Sequence, residues 1–371
     1  MKKRAVSILM ASVMAASLAA CGGSSSSSST TAAASSAAET TAAAAESASG
    51  SESAADSGKT YDSPEFTIKL GHSDTTANIL NTTLEDYAAW VKEQTKGRVE
   101  IDIYAAEQLG SNSEMAEMIE MGELDAMAMP QGNEASFAPK IATLGLPFLF
   151  TSYEQAWAAM DDEEIASSLT EGLEDHNMIQ IAFWENGLRQ ITNSRNAINT
   201  PDDLKGMKIR TPEDDMTIAI FRALGASPSP LAFSETYLAL QQKTYDGQEN
   251  PIANIYANNF QDVQKYLALT NHKYESKNII FSTASWNKYP EEVQQVLTEG
   301  AKKFGQEHRD AIVAAQDKQL QELKDAGMEV TEPDAKPFQD ATASVYTDFE
   351  AENDWASDLV SKIQTVIADV K

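Results

Sequence analysis

Between Phe66 and Met129 the apolar spacing switches repeatedly between period two and the helical period, and this alternation restricts the fold class more than any other feature. Phe66, Ile68 and Leu70 alternate with polar residues and predict a strand ending at Gly71-His72-Ser73. Leu84, Tyr87, Trp90 and Val91 share one helical face, and Gly97 stops that helix. Val99, Ile101 and Ile103 predict a second strand, a Met-rich helix spans about 113–122, and an apolar run covers 124–129. Strand and helix in regular alternation argue for an α/β protein with a largely parallel sheet.

Further along, Ser152 and Gln155 form a capping-box pair opening a helix that runs through Trp157 to Leu169. A strand near 179–184 runs on toward Arg189 and Ile191, Thr200-Pro201 starts a helical turn, and Met207 to Thr211 reads as a strand halted by Pro212. A helix covers 218–224, Ser234 is placed to cap the next one, and strands are expected over 267–270 and 279–282. From Pro290 to about Ala326 helical spacing persists, roughly 50 Å at the α-helical rise. Two more helices, over 338–351 and 355–370, close the chain.

Residues 22–60 are almost wholly Ser, Ala, Thr, Gly and Glu. Such a stretch buries too little surface to offset its chain entropy and is expected to be a disordered tether. Before it, Lys2, Lys3 and Arg4 precede an apolar run to Ala16, too short to span a bilayer and reading as a secretion signal over residues 1–21. That run closes on Leu18-Ala19-Ala20-Cys21, which resembles a bacterial lipobox with Cys21 as the acylated residue. Cys21 is the chain's one cysteine, so neither an internal disulfide nor a thiol nucleophile is available. The expected location is extracytoplasmic, held by lipid on the outer face of the cytoplasmic membrane or in the periplasm.

A formal charge of -28 argues against nucleic acid, which needs a basic stripe, and against docking on anionic lipid. It also repels an anionic ligand at long range, so an acid would have to be gripped by local, shielded cations. Met115, Met118, Met121, Met127 and Met129 sit at spacings that mean core packing more readily than a soft-metal site. His72, His176, His272 and His308 are scattered, and no phosphate loop or nucleophile elbow is present. No metal, cofactor or enzymatic activity is expected.

The stretch from Trp184 to Asn287 carries more specific information. WENGLRQITNS (184–194), TPDDLKGMKIRTP (200–212), ALGASPSPLAFSETYLALQ (223–241), YDGQENP (245–251) and KYLALTNHKY (265–274) follow one another. In order and spacing they resemble the substrate-binding component of a TRAP (tripartite ATP-independent periplasmic) transporter. The segment SRNAIN departs from the commoner arrangement, with Ala197 where the family has Pro.

That resemblance implies a two-lobe periplasmic-binding-protein-like fold with hinge strands and a long helix spanning both lobes. Lobe I would comprise 61–188 with about 276–315 returning to it, and lobe II 189–275 with about 316–371 packing on it. It implies that Arg210 pairs with a ligand carboxylate, that Arg189 is a second cation, and that Asn250 positions the ligand. Phe233 would pack against it, with Gln131 or Ser73 adding polar contacts. It further implies a small and a large membrane subunit as partners and an ion gradient, commonly sodium, in place of ATP. The chain is expected to act as a monomer.

The chemistry suits those residues. A guanidinium offers two parallel N–H donors that match a planar carboxylate, and it stays ionised in a closed cleft. Arg210 alternatively forms an internal salt bridge with Glu213 or Asp214, Asn250 before Pro251 serves a turn, and Phe233 is core. Three functions compete: capture of an organic acid for transport, presentation of the ligand to a receptor kinase or chemoreceptor, and a secreted enzyme acting on acidic sugars. Between a C4-dicarboxylate and a sugar acid such as a uronate the sequence does not choose.

Overall fold

The computed structural model describes residues 60–370; the secretion signal, Cys21 and nearly all of the expected tether lie outside them. Eleven strands form two sheets among the described residues. The first sheet holds β1 (Phe66–Gly71), β2 (Val99–Tyr104), β3 (Ala126–Pro130), β4 (Met178–Leu188) and β10 (Tyr274–Ser282), in the order β2-β1-β3-β10-β4. The second holds β5 (Gln190–Asn193), β6 (Lys208–Thr211), β7 (Ser227–Pro230), β8 (Gly247–Asn250), β9 (Tyr266–Ala268) and β11 (Glu329–Thr331), in the order β11-β9-β5-β8-β6-β7. Both sheets are mixed, not largely parallel. β1 pairs in parallel with β2 and β3, but β10 runs antiparallel to β3 and β4, because it belongs to a strand returning from the other sheet.

The chain passes between sheets at two adjacent points. β4 leads through the single residue Arg189 into β5, and β9 leads through 269–273 into β10. The Arg189 N–H donates to the Lys273 carbonyl at 2.8 Å, tying the two crossings together. Gly187, just before the crossing, has φ +135°, and a Cβ there would lie 2.9 Å from Pro251. That backbone excludes an ordinary side chain.

A 35-residue helix, Glu291–Asp325, forms the third link. Val293, Leu297, Ala301 and Phe304 pack into the core beneath β1 and β4 with Leu84, Tyr87 and Trp184. Leu320 and Leu323 join a separate cluster with Leu240, Ile252 and Phe260 beside the second sheet. Gly300 lets the helix press against Ile79–Gln94: a Cβ would meet Tyr87 and Trp90 at 2.8 and 2.7 Å.

Local departures from the sequence reading have local causes. The helix expected to run to Leu169 breaks at Asp162, whose extended backbone and side chain cap a second helix, Glu163–Leu169, by accepting from the N–H groups of Glu164 and Ile165. Ser234 does not cap the helix Thr236–Gln241; a 3-10 turn, Phe233–Glu235, leads into it instead. Residues 139–169, grouped on sequence with the first lobe, share a core with Ile220, Phe221 and the closing helices Ala335–Glu352 and Ala356–Ile367. Among the described residues no helix is long and apolar enough to cross a membrane.

Candidate functional site

The two crossings bring charged residues together where the sheets meet. A cavity of about 30 Å³ lies there, lined by Ser73, Arg189, Arg210, Phe233 and Asn250 among others. Of the six ligand contacts implied on sequence, those five reach the cavity wall. Gln131 does not. Its amide accepts from the Ser276 N–H at 2.9 Å and donates to the Tyr274 carbonyl at 3.2 Å, so it braces β10 from behind.

Arg210 and Arg189 are both buried, at 3% and 2% exposure, but their surroundings differ sharply. Arg189 projects from the β4–β5 crossing into acids of its own chain. It donates to both Glu249 carboxylate oxygens and to the Glu275 carboxylate, and to the Glu249 carbonyl at 2.8 Å and Asn250 Oδ1 at 3.1 Å. Burial alone would push the Glu249 carboxyl up, yet the Arg189 guanidinium overrides it and holds it down at about 2. Arg189, implied on sequence as a second cation of the site, is therefore firmly paired with acids of its own chain while still lining the cavity.

Arg210, on β6, has no ion pair among the described residues. Its Nε and one terminal nitrogen donate to the Leu231 carbonyl at 2.9 and 2.5 Å, and the guanidinium carbon stands 5.6 Å from the Phe233 ring centroid. The acids nearest in sequence are occupied elsewhere. Asp214 pairs with Lys273 and Thr217 and caps the helix Asp215–Ala223, and Glu213 accepts from Ser113. Burial pulls Arg210 down to about 10; the nearby charge of Glu249 opposes that pull and the charge of Arg189 adds to it. It remains a cation at neutral pH. A buried cation lacking an anionic partner is costly, and an anion arriving in the cavity relieves that cost.

The sequence reading missed several wall residues: Asp74, Asn112, Asn186, Asn254, Glu275 and Lys277. Lys277 pairs with Asp74 and reaches Ser73 Oγ at 3.4 Å. The amides link in series. Asn254 accepts from Asn78 at 2.9 Å and donates to Asn186 at 3.2 Å, while Asn250 donates to Gln248 at 2.5 Å. Polar residues at strand positions expected to be apolar were the available signal, in Glu275 to Asn278 and Gln248 to Asn250.

Contacts also cross the cleft outside the cavity. The Glu107 carboxylate, on the loop after β2, accepts from the N–H groups of Phe233 and Ser234 at 3.3 and 2.9 Å. Thr75 donates to the Ala257 carbonyl at 3.4 Å.

Comparison with known proteins gives a consistent picture. The model of the family described as bacterial extracellular solute-binding protein, family 7, matches residues 70–353. An uncharacterized protein, y4mM, of Sinorhizobium fredii is 38% identical over 75% of this chain, which spans about half (51%) of that relative's length. The 2,3-diketo-L-gulonate-binding periplasmic protein YiaO of Escherichia coli is 32% identical over 81% of this chain and 92% of its own. A crystal structure of a TRAP periplasmic solute-binding protein from Polaromonas, bound to D-erythronate, superposes with a TM-score of 0.77 at 31% identity, covering 81% of this chain and 98% of the other.

Proposed function

Because the chain belongs to bacterial extracellular solute-binding protein family 7, the TRAP solute-binding proteins with their two-lobe fold, we propose that it captures a small organic carboxylate and delivers it to the membrane subunits of a TRAP transporter. The carrying observation is Arg210: a buried guanidinium on the cavity wall with no acid of its own. The ligand carboxylate takes the place of that missing acid, through two N–H bonds donated by Arg210. Phe233, Asn250 and Ser73 complete the grip. Arg189, held by Glu249 and Glu275, orients Asn250 and fixes the crossing without needing to touch the ligand. The lobes close on the ligand by bending at the crossings, a transition driven by contacts made to both sides.

An organic acid that binds is expected to raise the melting temperature, whereas its amide is not. Arg210→Ala is expected to abolish the rise, at a cost of about 3–5 kcal/mol of binding for a closed site. Equal stabilisation by acid and amide would refute the carboxylate reading.

Attachment to the membrane is assigned to lipid on Cys21, outside the described residues. The lipobox-like Leu18-Ala19-Ala20-Cys21 supports this. The full-length protein expressed in a bacterial host is expected to partition into detergent, and Cys21→Ala to remain in the aqueous phase; unchanged partitioning would reject the anchor.

A further inference from the structure

Resting on the carboxylate reading above, we propose that the ligand is a monocarboxylate rich in hydroxyl groups and that the cavity rejects dicarboxylates. The charges on the wall are nearly all spoken for. Lys277 pairs with Asp74, and Arg189 with Glu249 and Glu275, leaving Arg210 as the one lining cation without an ion pair among the described residues. One carboxylate balances it. A second would enter the cavity with no unpaired cation to meet it and with Asp74 and Glu275 already on the wall. Burying an unpaired charge beside like charges is strongly unfavourable.

A second observation points to hydroxyls independently. Asp74 Oδ1, Glu275 Oε1 and Asn112 Oδ1 are buried, belong to residues lining the cavity, and accept no hydrogen bond. Lys273 Nζ stands 3.5 Å from Glu275 Oε1, at ion-pair range but without a hydrogen bond. Buried acceptors left idle call for donors. A second carboxylate offers only acceptors, whereas each hydroxyl brings one donor and can accept in turn from an amide such as Asn112. The wall is thus divided by chemistry: Arg210 for the acid, and Asp74, Glu275 and Asn112 for the hydroxylated body. A site built to bond ligand hydroxyls also rejects analogues lacking them.

Titration calorimetry with matched acids tests this. D-Erythronate and meso-tartrate share a hydroxylated four-carbon chain and differ in one end, hydroxymethyl against carboxylate. D-Gluconate and D-glucarate differ in the same way, and succinate and butyrate carry no hydroxyl. The hydroxylated monocarboxylate of at least one pair is expected to bind about 10-fold or more tightly than its dicarboxylate partner, and also more tightly than butyrate. A dicarboxylate binding as well as or better than every hydroxylated monocarboxylate would overturn the inference while leaving the carboxylate reading intact. Binding by none of these acids would count against both, and equal binding of an acid and its amide against the carboxylate reading. Asp74→Asn removes a negative charge and frees Lys277, so it is expected to shrink the preference for the monocarboxylate by about 5-fold or more. An unchanged ratio in a folded Asp74→Asn protein would remove Asp74 from the assignment. Should that variant not fold, the ratios measured on the unsubstituted protein decide the matter.

Discussion

Two arginines of one chemical type do opposite work because of what surrounds them. Arg189 is a keystone, its charge cancelled by Glu249 and Glu275 from strands 60 and 86 residues away. Arg210 is buried without an ion pair among the described residues. Arg189→Ala would leave those two carboxylates buried without their cation and is expected to cost about 3–5 kcal/mol of stability. Arg210→Ala relieves a buried charge and should leave the ligand-free melting temperature unchanged or slightly raised. Thermal unfolding of both variants without ligand checks this; equal destabilisation would reverse the assignment. At this scale the sequence was informative about identity and silent about pairing. Arg210 was legible through KIRTP. The partners of Arg189 were not, because the acids that claim it are brought near only by the pairing of β5 with β8 and of β4 with β10.

Among the elements, β10 shows why the inter-sheet region was harder to read than the rest. All nine of its residues are buried, four of them Glu275, Ser276, Lys277 and Asn278, so neither alternation nor an apolar run marks its first half. Only 279–282 was legible as strand, and the same polarity concealed β8. Helices with one apolar face, Ile79–Gln94 and Glu291–Asp325, lay close to where their spacing put them. The Glu134 carboxyl, whose Oε2 accepts from Asn278 of β10, carries a consequence for pH. Burial raises it to about 8 against 4.5 in the unfolded chain. The folded form therefore holds a proton that the unfolded form has released, and this contribution is complete below about pH 4.5 and lost as pH rises through about 8. Glu185, pushed up to about 7 by burial, acts in the same direction. Glu134→Gln is expected to lose less melting temperature than the unsubstituted protein between pH 6 and pH 9. A parallel decline in both would show that Glu134 does not titrate there.

For the whole molecule, the proposed function makes affinity depend on the balance between open and closed forms. On the proposed function, Glu107 favours the closed form through its two backbone bonds across the cleft, together comparable to a helix cap at about 0.5–2 kcal/mol. Glu107→Ala is expected to weaken ligand binding by roughly 3–30-fold, mostly through faster release, with little change in ligand-free melting temperature. Stopped-flow dissociation measures this, and an unaltered off-rate would deny the latch. The two-lobe plan was legible from the ordered family motifs, and the long helix from its own periodicity. The cross-cleft bonds were not, since each joins residues whose neighbourhood exists only once both sheets have formed.

The long helix also bears on how the two halves would part under the proposed function. It is gripped beneath β4 at one end and beside Ile252 at the other, and none of its residues lines the cavity. A stiff rod keeps its two anchorages at constant separation, which under the proposed function favours a clamshell swing over separation of the halves along the helix. In such a swing the mouth would open on the side away from the rod, which makes that rim the expected entry point for solute.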